Sequence, residues 1–202
     1  SIEAKSSVER GANGSSVDRG TLTRATGFFH PSGSISSSYH LRKAPRGSGR
    51  RRVPEGFSRA EAWQQFKGRV AYAASLCERL GIRIALESLY RPQTTFINTI
   101  GECLDLADEL RRDAVGVVAD IDHIAREEPN LDEAMRRAGW RVIHVHLRHS
   151  NGRTPGYGGY DFHRFIRLLR EIGYQGRTSI EARMDLDAEL AGVRARLNDL
   201  WA

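Results

Sequence analysis

The chain has 202 residues, 40% of them hydrophobic and 28% charged, with a formal net charge of +6 and an isoelectric point near 9.7. That length supports one domain with a sizeable core, and no apolar run is long enough to span a bilayer as a helix. The basic balance invites a nucleic-acid reading, but residues 1–58 hold ten Lys/Arg against four Asp/Glu, whereas residues 59–202 hold 21 of each, so nucleic acid is disfavoured as a partner. Arginine supplies 28 of the 31 basic residues, which is a compositional bias and not a phosphate-binding face.

Residues 1–57 are rich in Ser, Gly and Arg and show no sustained period of 3.6 or 2, so an irregular, disordered basic arm is expected there. Within it, Thr26–Gly33 (TGFFHPSG) alone reads as a short strand and turn. The opening SIEAKSSVERGANGSS lacks the apolar core of a signal peptide. Cys77 and Cys103 fall in segments that read as helix interiors, which fits free buried thiols in a reducing compartment. The expectation is a soluble, cytoplasmic protein without a membrane partner.

Regular structure is expected from Ser58, where Ser58 and Glu61 form a capping box. Trp63, Phe66, Val70, Ala73, Ala74 and Cys77 follow at helical spacing, and Gly81 ends the helix. Ile82–Glu87 is a short apolar run ending in a carboxylate. Thr99 and Glu102 open a second helix, to about Arg111. Ala114–Asp120 is a second such strand, and Asn130 opens a helix to about Ala138. Trp140–Leu147 is a third strand, ending in histidine, and Asp161 caps a helix through Ile172. Arg177–Glu181 is a fourth strand, and Leu186–Trp201 a closing amphipathic helix. Apolar strands alternating with amphipathic helices imply a parallel sheet covered by helices.

Glu87, Asp120, His146 and Glu181 each stand at the C-terminal end of a strand, separated by 33, 26 and 35 residues, about one β/α unit each. Singly, such residues are commonly strand ends, helix caps or hydrogen-bonded core groups. In a closed parallel barrel all four converge on the catalytic face, although a doubly wound sheet also gathers ligands at strand C-termini. Carboxylates converging in a partly dry site repel unless a cation lies between them. Three oxygen ligands and one imidazole suit Mn²⁺, Mg²⁺ or Co²⁺, with Zn²⁺ less typical.

The segments Ala85–Thr99, Val117–Asn130, His144–Gly176 and Ser179–Arg183 resemble the second half of the xylose isomerase-like TIM barrels. The resemblance covers about Ser58–Trp201 and is carried most specifically by D-x-x-H at Asp120–His123, H-x-H-L at His144–Leu147 and P-G-x-G-x-x-D-F at Pro155–Phe162. It implies an α/β fold of parallel β/α units, a partial barrel of about the last four, over residues 58–202. It implies that Glu87, Asp120, His146 and Glu181 hold a divalent metal, that Glu87 and Glu181 are also the catalytic acid/base pair, and that His123 contacts substrate. His144 shares a strand face with His146 and is expected to be a supporting polar residue. Family epimerases have an acidic residue three places after this histidine and an arginine six places after; here those places are His149 and Gly152, and Arg153 is the substrate-binding substitute.

The activity so implied is isomerisation or epimerisation of a ketose or related polyol by proton transfer through an enediolate, with a small-molecule sugar as partner and a homo-oligomer compatible. Two alternatives stand beside it. One is a catalytically silent half-barrel that associates with another chain. The other is a zinc-dependent abasic-site endonuclease, for which Asp161-Phe-His163 has a ligand spacing, although Asp161 is better placed as a helix N-cap.

Overall fold

The computed structural model describes the backbone of residues 25–29 and 35–39, residue 53, and residues 55–156, 158–183 and 186–202. Helix α1 (Arg59–Leu80) begins where the sequence says it should. The Ser58 side chain accepts from the Glu61 backbone N–H at 3.1 Å, and the Glu61 carboxylate accepts from the Ser58 N–H at 2.9 Å. A cap of this kind contributes about 1 kcal/mol. Gly81 closes the helix at φ 65, in the left-handed region, and donates its N–H back to Cys77 and Glu78.

The following elements keep the expected order: β3 (Ile82–Leu86), α2 (Ile100–Leu110), β4 (Val115–Asp120), α3 (Ile121–Glu127), α4 (Leu131–Ala138), β5 (Val142–Leu147), α5 (Phe162–Glu171), β6 (Thr178–Ile180) and α6 (Leu186–Trp201). Thr99, Asn130 and Asp161 cap α2, α4 and α5 as expected. Two details differ. Helix α3 was not foreseen as a separate element, and β5 starts at Val142 because Trp140 lies in a 3-10 turn with its ring exposed.

Strands β3 to β6 are parallel and neighbour one another in sequence order. A doubly wound sheet needs a reversal of strand order at its ligand site; here there is none, and the run is an arc of a β/α barrel. Every residue of β4 is buried, as a parallel strand covered on both faces requires. The core between sheet and helices holds Ile100, Leu106, Ile121, Ile124, Met135, Leu147 and Phe165. Cys77 and Cys103 are free buried thiols.

The irregular arm expected over residues 1–57 needs correction in one part. Strands β1 (Ala25–Phe29) and β2 (Ile35–Tyr39) form an antiparallel hairpin, and β2 runs parallel to β3 through Ile35↔Ile82 and Ser36↔Arg83. Strand β1 overlaps the foreseen Thr26–Gly33 strand. Strand β2, read ISSSY, carries no alternation of apolar and polar residues, so its pairing was invisible to a periodicity argument. Most of the rest of that segment lies outside the described residues.

A register shift lies between Val117 and Val118: Val117 pairs with Val142, yet Val118 pairs with His144, leaving Ile143 as the extra residue. A bulge of this kind re-aims the side chains beyond it, and here it brings His146 level with Asp120. Gly116 makes room for it, since a Cβ there would lie 2.7 Å from both the Arg141 carbonyl oxygen and the Ile143 side chain. Backbone oxygen cannot step aside cheaply. Gly116→Ala is therefore expected to cost about 1–3 kcal/mol, read as a lower denaturant midpoint in chemical unfolding at unchanged slope.

Candidate metal centre

Glu87 immediately follows β3, Asp120 ends β4, His146 is the fifth residue of β5 and Glu181 immediately follows β6. Each offers one ligand atom, and these atoms all lie within 4.8 Å of one another; this is the group of potential metal-ligating side chains that the described residues bring together. His146 Nδ1 is at the middle of it, 2.9 Å from Glu87 Oε1, 3.6 Å from Asp120 Oδ2 and 3.6 Å from Glu181 Oε2. The Asp120, His146 and Glu87 side chains are 1, 5 and 10% exposed, whereas Glu181 is 39% exposed, so the site opens toward β6.

Asp120 does two things at once. Its Oδ1 accepts from the backbone N–H groups of Asp122 and His123 at 2.8 and 3.2 Å, which starts α3. Its Oδ2 is buried without a hydrogen-bond partner. A buried carboxylate oxygen so orphaned costs free energy of the order of 1–3 kcal/mol, and a cation among Glu87, Asp120, His146 and Glu181 would remove that cost. The donor set, three carboxylates and an imidazole, fits a divalent ion.

Without an ion, a proton takes the positive role. Burial disfavours charge on the His146 ring, but the Asp120 carboxylate 3.6 Å away, the hydrogen bond with Glu87 and the charges of Glu87 and Glu181 outweigh it and raise its pKa to about 10. His123 is fixed from the other side. Its Nδ1 faces the Tyr90 backbone N–H at 3.4 Å and its ring stacks on Tyr90, which puts the ring proton on Nε2, 3.9 Å from Asp120 Oδ2. His123 thus presents a donor to the cluster. Arg153 is half exposed in the loop after β5, and its guanidinium pairs with Glu189 of α6 at 3.5 Å. His144 spans to Ser179 of the neighbouring strand at 3.0 Å and packs edge-on to His146.

Sequence reasoning missed a second buried carboxylate, Asp122. It accepts from Arg126 at 2.6 Å, from the Tyr160 hydroxyl at 2.7 Å and from Arg148 at 2.6 Å. Burial raises its pKa, yet the bonds from Tyr160 and Arg126 and the charges of Arg148 and Arg126 outweigh that and leave it lowered. The only sequence hint was Asp122–Arg126 at i,i+4. His149 packs between Tyr160 and Phe162, and burial lowers its pKa. Asp161 caps α5 through the Arg164 N–H, and His163 is exposed, so the pair that favoured a nuclease joins no metal-ligating group among the described residues.

Residues 39–198 match the family model described as xylose isomerase-like TIM barrel. The chain belongs to that family. Among its relatives, the D-psicose 3-epimerase of Enterocloster bolteae is 34% identical over 104 residues, 52% of this chain and 35% of that protein. The ketose 3-epimerase of Arthrobacter globiformis is 33% identical over 67% of this chain and 46% of its own length. The crystal structure of D-psicose 3-epimerase with D-tagatose from Clostridium cellulolyticum H10 superimposes with a TM-score of 0.60 at 29% identity, over 64% of this chain and 45% of that one. The chain thus spans less than half the length of each of these sugar epimerases of the xylose isomerase-like family. No helix among the described residues is long and apolar enough to cross a membrane.

Two outcomes are expected. Asp120→Asn keeps the oxygen that caps α3 but removes the charge, so Mn²⁺ should raise the melting temperature of the parent chain and leave that of the variant where it is without metal. Because the ion must displace the His146 proton, binding should release about one proton at neutral pH, and affinity should rise about tenfold per pH unit toward pH 10. Calorimetry in buffers of different ionisation enthalpy counts that proton.

Proposed function

We propose that this chain is the metal-holding, proton-transferring half of a ketose epimerase. The observation that carries the reading is the convergence of Glu87 and Glu181, from the two outer strands of the β3–β6 arc, on a cluster whose inner members are Asp120 and His146. The relatives' 3-epimerase activity supports the same chemistry. A divalent ion held by Glu87, Asp120, His146 and Glu181 would polarise a ketose carbonyl and acidify the adjacent C–H. Epimerisation needs a proton removed from one face of the sugar carbon and returned to the other, and two carboxylates arriving from opposite sides suit that task. Glu87 is the more buried of the two and Glu181 the more open, so solvent reaches Glu181 more readily.

His123, with its proton on Nε2, donates to a substrate oxygen, and the Tyr90 stack keeps the ring from turning away. Arg153, steered by Glu189, is assigned to the sugar hydroxyls. Within this class the substrate is a ketose carrying its carbonyl next to the inverted carbon, and D-psicose is the first compound to assay.

Glu87→Gln and Glu181→Gln should each lower kcat for conversion of D-psicose to D-fructose by on the order of 10²–10⁴, and His123→Ala should act chiefly on KM. An intact, folded chain that binds no Mn²⁺, Co²⁺ or Mg²⁺ in calorimetry would overturn the epimerase reading.

A further inference from the structure

Along α3, Arg126 stands one turn beyond both Asp122 and His123, so its side chain lies beside both of theirs. A charged pair of that spacing usually sits in water and contributes little. This one is anchored. Asp122 is 2% exposed and accepts from Arg126 Nε at 2.6 Å. Arg126 Nη2 donates to the Ser150 carbonyl, in the loop after β5, at 2.6 Å. A guanidinium is flat and rigid, so two bonds from different nitrogens fix its plane and leave a face to pack.

That face meets Tyr90, in the loop after β3. Arg126 Cζ lies 4.7 Å from the centre of the Tyr90 ring, within the reach of a cation–π contact. The same ring stacks on His123, with centroids 5.6 Å apart and planes 25° apart. The Tyr90 ring thus rests on two side chains of α3, one a cation and one an imidazole.

The polar contacts of the His123 ring are long. Its Nδ1 accepts from the Tyr90 N–H at 3.4 Å, the far end of the hydrogen-bond range, and its Nε2 lies 3.9 Å from Asp120 Oδ2, beyond that range. Stacking keeps the plane of the imidazole, and the Tyr90 N–H selects the nitrogen that stays unprotonated. Both controls pass through Tyr90. The neighbouring Arg91 ties the chain of that loop to Glu127 through its backbone and its guanidinium. The Tyr90 ring itself is tied to α3 by Arg126.

We propose that Arg126 is a positioning residue for His123: pinned by Asp122 and Ser150, it holds the Tyr90 ring against His123 and so directs the His123 Nε2–H toward the substrate. Through Ser150 the same guanidinium joins the loop after β5 to the loop after β3, so the two loops flanking the cluster share one anchor on α3. That His123 touches substrate rests on the epimerase reading; that Arg126 sets its ring does not.

The test reads the His123 ring in the full chain with Mg²⁺, by nitrogen NMR, its signals being those lost in His123→Gln. The parent should show the Nε2–H form alone. Arg126→Gln keeps a donor for Asp122 but loses the flat cation, and should show a mixture with the Nδ1–H form. Tyr90→Leu should do the same. Tyr160→Phe removes a different donor from Asp122 and should leave the His123 signals as in the parent. With D-psicose as substrate, Arg126→Gln should raise KM about threefold to tenfold, the range of one cation–π contact, with kcat within about twofold. Combined with Tyr90→Leu it should cost no more than Tyr90→Leu alone. Circular dichroism and melting establish that each variant is folded. A folded Arg126→Gln with unchanged His123 signals, an equal change in Tyr160→Phe, or additive effects on KM would overturn the proposal. A parent chain without turnover would sink the epimerase reading, and the ring signals would still decide whether Arg126 sets His123.

Discussion

Three carboxylates and one imidazole share a space under 5 Å across at the ends of β3, β4, β5 and β6, and the rest of the structure answers to that crowding. Carboxylates so close, two of them largely out of water, cannot all stay ionised without a positive centre among them. His146 supplies one by holding its proton to about pH 10, and a divalent ion would supply a stronger one. The two are alternatives at the same nitrogen, since Nδ1 faces all three carboxylates. Buried Asp120 Oδ2, still without a hydrogen bond, shows that the proton satisfies the site only in part.

Helix α3 is the short element that makes the crowding rigid. Its N-cap is Asp120 of the cluster, its first turn carries His123, and Asp122 between them gathers Arg126, Arg148 and Tyr160 from three parts of the chain. Its far end holds the loop after β3. Glu127 accepts from the Arg91 backbone at 2.6 Å and pairs with the Arg91 guanidinium, and Glu128 accepts from the Ile100 N–H at the start of α2 at 2.7 Å. The loop from Glu87 to Thr99 is thereby bound to the same helix that fixes Asp120. That loop also contains Ile97, a buried β-branched residue at φ 57 whose carbonyl accepts from the Leu89 N–H. A non-glycine residue in that region is costly and persists only where its surroundings over-determine it.

Much of this was legible in the sequence because the signals were local. Ser58 with Glu61, Gly81, Thr99, Asn130 and Asp161 mark helix ends through contacts within a few residues, and every one of them caps the helix it was assigned. Glu87, Asp120, His146 and Glu181 were legible for another reason: their spacing repeats with the β/α unit, and parallel strands in sequence order turn such a repeat into proximity. What stayed hidden depends on tertiary placement. The bulge at Ile143 has no local signature beyond Gly116, twenty-seven residues earlier. Arg148 and Tyr160 lie 26 and 38 residues from Asp122, so no window of periodicity joins them. Arg153 was assigned by its neighbourhood to His146, but its partner Glu189 belongs to the last helix.

The division of labour along the barrel has a further consequence. All four side chains of the cluster stand at the ends of strands within this arc. Glu181 remains 39% exposed and, among the described residues, β6 pairs with β5 alone, so water reaches the cluster from that side. Proton transfer between a carbon acid and a carboxylate depends on a site from which competing water is excluded, because screening weakens every charge that steers it. The geometry of the cluster is set by residues between Glu87 and Glu181 and by the bulge that levels His146 with Asp120.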